Sequence, residues 1–197
     1  MPAATRRVVD AAAAAGLAIA VARFPAGTRT AADAAAAIGC DIAAIAKSIV
    51  LTSAAGPVLV LTSGANQADP DRVAAALGTT GVRRADPDEA RAATGLSTGA
   101  EVAEGGSAIG AQVAEGGSAI GAQVAEGGSA VNCGTAPFGH PVPMPVLCDA
   151  DLLDFDQVWA AAGTADTVFP ISPADLVRIS GATVAAVARP QGAPTLP

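Results

Sequence analysis

Two runs of β-forming residues, SIVLTS at 48–53 and PVLVLTS at 57–63, stand only three residues apart, with Ala54, Ala55 and Gly56 between them. So short a connection cannot carry a crossover, so the two runs must pair as an antiparallel hairpin. Any fold open to this chain therefore contains a sheet that is at least partly antiparallel. Further β-forming runs follow at 145–148 (PVLC), 158–161 (VWAA), 167–171 (TVFPI) and 182–188 (ATVAAVA). Helix starts intervene. TAAD at 30–33, DPDE at 86–89 and SPAD at 172–175 each place a capping side chain three residues before an acid, the last two with Pro at the first helical position, and Asp69 before Pro70 offers a fourth. Strands and helices intermix without regular alternation, which favours a mixed sheet with flanking helices over a doubly wound parallel one.

At 197 residues the chain fits a single domain with one core. Its longest apolar run, AAAAAGLAIAVA at 11–22, is too short to span a bilayer. A secretory signal is the other reading of that run, and Asp10 argues against it. Cys40, Cys133 and Cys148 form neither a metal spacing nor an even disulfide framework, so a cytoplasmic protein without a metal or other cofactor is expected. A net charge of −7 excludes a broad basic footprint for duplex DNA, so any nucleic-acid contact must be local. No GxGxxG or Walker pattern occurs. Ten arginines accompany one lysine, Lys47, which makes that lysine a candidate for chemistry; a surface lysine beside a strand is the plain alternative.

Between the second helix cap and the run PVLC, eleven residues are written three times: GAEVAEGGSAI at 99–109, GAQVAEGGSAI at 110–120 and GAQVAEGGSAV at 121–131. Three glycines per unit, each costing about 1 kcal/mol in a helix, exclude a helical reading. A meander turning at each Gly-Gly keeps Val102, Ile109, Val113, Ile120, Val124 and Val131 on one face, but without a partner surface it is marginal, and an irregular loop remains the alternative. The segment reads as an insertion at 99–131 into a single domain spanning 1–197.

The remainder resembles the YbaK/ProRS-associated family of aminoacyl-tRNA editing domains. The residues that carry the resemblance are TRTAADAAAAIGCDIAAIAKSIVLTSAAGPVLVLTSG (28–64), VRRADPDEARAATG, GTAPFGHPVPMPVLCDADLL, VWAAAG and SPADLVRISGATVAAVA. The resemblance implies a mixed, largely antiparallel sheet forming a partly opened barrel with flanking helices. It also implies trans-editing hydrolysis of the ester that joins a small amino acid, such as Ala, Cys, Ser or a Pro analogue, to the wrong tRNA. The implied partners are the 3′ end of aminoacyl-tRNA and an aminoacyl-tRNA synthetase.

Residue by residue, Lys47 in IAKS matches the family's functional lysine, and Gly134 and Pro137 in GTAPFGHP match the later part of a GxxxP loop whose N–H groups face the aminoacyl carbonyl. The loop's leading glycine falls on Cys133. Lys47 and Gly134 are thus the catalytic candidates. Thr28, Arg29, Thr30, Pro137, Phe138, His140 and Asp149 are the substrate-binding ones, with Arg29 suited to a phosphate. Arg29 has an ion pair to Asp33 as its alternative, His140 a turn position, and Asp149 a capping role at a strand end. Gln67 stands where the family often has Arg. Because the repeats lie just before Gly134, impaired deacylation is expected, and a non-catalytic tRNA-end or aminoacyl-ligand binding protein is the rival reading. A module in which the repeats self-associate is a third.

Overall fold

The computed structural model describes residues 1–24, 30–95 and 134–189. Thr28, Arg29, Cys133 and the repeats lie outside the described residues, and so does every expectation about a meander there.

Among the described residues five helices and eight strands follow in the order α1 (Ala3–Ala14), β1 (Ala22–Arg23), α2 (Ala31–Ile38), β2 (Ile45–Ser53), β3 (Gly56–Ser63), α3 (Pro70–Leu77), β4 (Arg83–Arg84), α4 (Pro87–Thr94), β5 (Val146–Asp149), β6 (Val158–Ala161), β7 (Thr167–Ile171), α5 (Pro173–Ser180) and β8 (Thr183–Ala185). The four expected helix starts are all present. Thr30 and Asp86 form reciprocal capping boxes with Asp33 and Glu89, and the side chains of Asp69 and Ser172 accept from backbone N–H groups of the first turn. Each of the helices α2 to α5 ends on a glycine with positive φ.

The hairpin forms as expected, with a tighter turn. Register runs from Ala46↔Ser63 to Ser53↔Gly56, so only Ala54 and Ala55 connect the strands, and Gly56 takes φ +114 as the first residue of β3. Ser53 Oγ ties the turn by donating to the Gly56 carbonyl at 3.0 Å and accepting from the Ala55 N–H at 3.1 Å.

All eight strands belong to one mixed sheet of order β1-β7-β6-β2-β3-β5-β8, with β4 added to β2. The pairs β1–β7, β2–β3, β2–β4 and β6–β7 are antiparallel, whereas β2–β6, β3–β5 and β5–β8 are parallel. The partly opened barrel anticipated from the resemblance is an open sheet here. Its terminal strands β1 and β8 each pair with a single neighbour, β7 and β5, and not with one another, so the ladder does not close. The run at 182–188 likewise pairs as a strand only over Thr183–Ala185, with an isolated bridge from Ala188 to Ala68.

Because successive side chains of a strand face opposite ways, β2 feeds one cluster on one face and two on the other. Ala46 and Val50 join Val8 and Ala12 of α1, Ala90 and Ala93 of α4 and Leu176 of α5 in the larger one. Leu51 packs on the other face with Val58, Val60 and Val73 of α3, and Ile45 with Ala34 and Ala35 of α2. The alanine-rich α1 thus sits in the core by way of Val8 and Ala12, both fully buried. Among the described residues no helix is long and apolar enough to cross a membrane.

Candidate active site

The central strand has an interrupted edge. β6 pairs with β2 only at Ile45 and Ala46, and β4 only at Leu51 and Thr52. Between these short partners the stretch Lys47–Val50 has β3 on one side and, among the described residues, no strand on the other. A cavity of about 340 Å³ occupies this gap. All three strands wall it: Ile45–Ile49 from β2, Trp159–Ala161 from β6 and Arg84 from β4, closed by Ala31 of α2 and its cap Thr30, the Gly64–Gln67 turn and Gly134–Thr135.

Lys47 is held at the pocket by the turn after β3. Its Nζ donates to the Asn66 carbonyl oxygen at 2.5 Å. Asn66 is fixed in turn, since its Nδ2 donates to Asp149 Oδ2 at 2.8 Å and to Asp151 Oδ2 at 2.7 Å. Asp149, 1% exposed, also accepts from the Ser63 N–H at 3.4 Å and, as cap of the 3₁₀ turn Ala150–Asp154, from the Asp151 N–H at 3.5 Å. Burial, and after it the neighbouring Arg84 guanidinium, lower the pKa of the Lys47 ammonium below that of an ordinary lysine, while Asp149 acts in the opposite sense. Arg84 itself has its pKa lowered by burial. An ammonium has three donors, and among the described residues only Asn66 takes one, which leaves two to meet a ligand.

The glycines at this site are there for clearance. A Cβ on Gly64 would run into the Ile42 carbonyl. One on Gly134, whose φ is +85, would lie 2.6 Å from the Thr164 carbonyl carbon and 2.8 Å from the Ala165 nitrogen. Close backbone approach on a left-handed φ is a glycine role.

Of the sequence candidates, the structure brings Lys47, Gly134 and Thr30 together on the pocket wall. Thr30 is exposed, with its hydroxyl accepting the Asp33 N–H at 3.0 Å; Thr28 and Arg29 lie outside the described residues. Asp149 sits behind the wall. Pro137, Phe138 and His140 do not line the pocket. Pro137 is buried, and the Phe138 ring packs tilted on Phe169 with centroids 5.7 Å apart. His140 is half-buried beside α1 and the end of α4; burial, assisted by Arg7, lowers its pKa, against the backbone of Thr94 and Ala136. Asn66, Arg84 and Ser48 are pocket residues that the sequence reading did not single out. Ser48 and Arg84 stand inside family-like runs, 28–64 and VRRADPDEARAATG, and Asn66 stands just after the first of them beside Gln67, which is the signal available.

With this geometry in view, the comparisons identify the family. A model of the aminoacyl-tRNA editing domain matches residues 25–101 and 128–179, and the chain belongs to that family. The break at 102–127 falls within the three repeats. A crystal structure of a candidate trans-editing enzyme for prolyl tRNA synthetase is similar at 31% identity with a TM-score of 0.74, covering 96% of this chain and 99% of that one. A scaffold protein from epitope backbone grafting by computational design is similar at 30% identity and TM-score 0.74, covering 96% and 100%. A hypothetical protein at 23% identity and TM-score 0.70, covering 93% and 99%, shares the fold. No curated protein matches the chain.

Proposed function

We propose that the chain is a trans-editing deacylase that hydrolyses the ester between tRNA and a small, wrongly attached amino acid. The observation that carries this reading is the cavity of about 340 Å³ in the interrupted edge of β2, with the Lys47 ammonium anchored at its wall. Exposed Thr30, Gln67 and Arg84 belong to its outer part, whereas Ala46, Ser48, Thr135 and Ala160 are buried in its inner part. A guanidinium and neutral polar groups outside and small side chains inside suit an anionic nucleic-acid end that carries a small acyl group.

An aminoacyl ester is already activated, so the protein needs to place it and stabilise charge on the carbonyl oxygen rather than supply a strong nucleophile. A water oxygen bonds to the carbonyl carbon, the bond from that carbon to the ribose oxygen breaks, and the proton released by water ends on the ribose oxygen. Lys47, with two free donors, meets the terminal ribose or the ester oxygen. Arg84 meets the terminal phosphate, and backbone N–H groups at Gly134 face the carbonyl oxygen. Asp149 positions Lys47 through Asn66. The partners are aminoacyl-tRNA and the synthetase that mischarges it, which places the activity in the cytoplasm.

The rival is a binding protein without turnover, favoured by one observation: the repeats fall immediately before Gly134 in the chain. Release of free amino acid from a panel of aminoacyl-tRNAs separates the two. Turnover lost in Lys47→Ala supports the deacylase, and tight binding with no turnover on any member of the panel supports the rival.

A further inference from the structure

One end of the pocket is apolar and open. Among the described residues Ile42 is one of the few large apolar side chains left exposed, at 38%, and it lines this end together with half-buried Trp159. Ala31, Ala34 and Ile45 belong both to the pocket wall and to the cluster on which Trp159 packs, so the indole sits at the cavity. Ile42 adjoins them, since a Cβ on Gly64 would meet both the Ile42 carbonyl and the Ala31 Cβ. Trp159 is the one tryptophan of the chain. Apolar surface left open inside a cavity, with polar groups beside it, marks the place of a ligand.

The polar groups follow in order along β2. Ile45 pairs with Trp159 at the β6 end of the gap, Leu51 pairs with Arg84 at the β4 end, and Lys47 stands between them. Ile45 and Lys47 are two residues apart, so their side chains share one face, about 7 Å apart along the strand. Ala160, next to Trp159, faces the opposite side, where it joins Ala46 in the larger cluster. From β4 to β6 the site therefore presents a guanidinium, an ammonium and an apolar shelf. A nucleotide has the same order: phosphate, ribose, base.

We infer that Trp159 and Ile42 form a shelf for the terminal nucleobase of the tRNA, the indole stacking on its face while Lys47 meets the ribose and Arg84 the phosphate. The choice of ligand rests on the deacylase reading, and the shelf adds to it a subsite apart from the acyl group. Every nucleobase has a π-face, and an aromatic side chain holds it by stacking without reading its edge. Held at base, ribose and phosphate, the nucleotide fixes the ester that its ribose carries, which places the carbonyl carbon for attack.

The test uses the tryptophan itself as reporter. Two stable amides, 3′-alanylamino-3′-deoxyadenosine 5′-phosphate and its counterpart with hydrogen in place of the base, are titrated against the full chain. The adenosine amide should quench the fluorescence of Trp159 and bind about tenfold tighter than the base-free one. In Trp159→Leu, followed by calorimetry, that advantage should shrink to about twofold. Should Trp159→Leu fail to fold, Ile42→Ala takes its place at an exposed position and should lower the advantage about threefold. Equal binding of the two amides by the full chain, or an advantage of the base that the substitution does not reduce, overturns the shelf, as does failure of the adenosine amide to bind. Release of free amino acid from aminoacyl-tRNA by the same protein would then leave the deacylase reading in place. Base-dependent binding by a chain that turns over no aminoacyl-tRNA keeps the shelf and assigns it to the rival binding protein.

Discussion

Residues contributed by the β2–β3 hairpin and those contributed by the segment 134–149 reach the site in different ways. Lys47 and Ser48 are consecutive in one strand, and the period of two sends one to each face, with the pocket between the flanking strands reaching both. Lys47 is then fixed by the turn that ends β3. In the later segment only Gly134 and Thr135 reach the wall. Phe138 is consumed by the core, His140 packs by α1, and Asp149 lies behind the wall, bonded to Asn66. A strand sets side-chain direction by its own geometry. A glycine- and proline-rich segment takes its direction from whatever it packs against, which its own residues do not reveal.

The sharpest way to break this comparison is at Lys47. Lys47→Ala should keep the fold, because the side chain is only half-buried and in no hydrophobic cluster, yet lower deacylation by about a hundredfold or more. Measured rates within a fewfold of the parent would remove the hairpin from the chemistry. The pH profile sharpens the same point. The pKa of Lys47 is lowered, so its cationic form is lost at a lower pH than an ordinary lysine's, near 10.4. Corrected for uncatalysed ester hydrolysis, the rate should fall on an alkaline limb that begins below that value and is absent in Lys47→Ala.

Gly134→Ala tests the other side. The new Cβ meets the Thr164 and Ala165 backbone on a left-handed φ, so we expect a loss of about 2 kcal/mol or more in urea unfolding and roughly a tenfold or greater fall in rate. A variant with parental stability and rate would show that this close approach is not required.

Asp149→Asn should matter less. It keeps the shape but replaces the carboxylate that accepts from Asn66, so Lys47 loses orientation rather than charge. We expect a fall of about tenfold or less, in kcat more than in KM, with Asp151 still accepting from Asn66 at 2.7 Å. A drop as large as that of Lys47→Ala would mean that Asp149 does more than position.

How much of this could be read from residues alone follows the same division. The hairpin and the four capped helix starts rest on local rules that tertiary packing did not override, whereas Lys47 stood out as the one lysine and by its place in a family-like run. The two-residue strands β1 and β4 have no pattern of their own, since they exist only because β7 and β2 offer an edge. The place of Arg84 at the pocket and the gap beside Lys47 depend on those pairings, so neither could be found before the topology was known. Asn66 belongs to the same class: its value lies in the backbone carbonyl it turns toward Lys47, and no side-chain motif announces that.

The smallest effect is expected from excising residues 99–131. Each flank of the segment between Gly95 and Gly134 is held independently of what joins them. Gly95 ends α4 on a left-handed φ, its carbonyl accepts from Arg7 of α1, and its α-carbon packs so closely on Pro141 that a Cβ there would lie 2.7 Å from the proline ring. Gly134 is seated on Thr164 and Ala165. Loop-closure entropy grows only logarithmically, so the extra length costs about 2 kcal/mol or less. With both flanks fixed by packing, that cost falls on stability rather than on the position of Gly134. The shortened chain should therefore be modestly more stable to urea and deacylate within about tenfold of the full one, since a displacement of about 1 Å, worth roughly a hundredfold, has no cause. A gain of a hundredfold on excision would show that the repeats pull the Gly134 segment out of place, and that its packing on Thr164 does not suffice to hold the loop for catalysis.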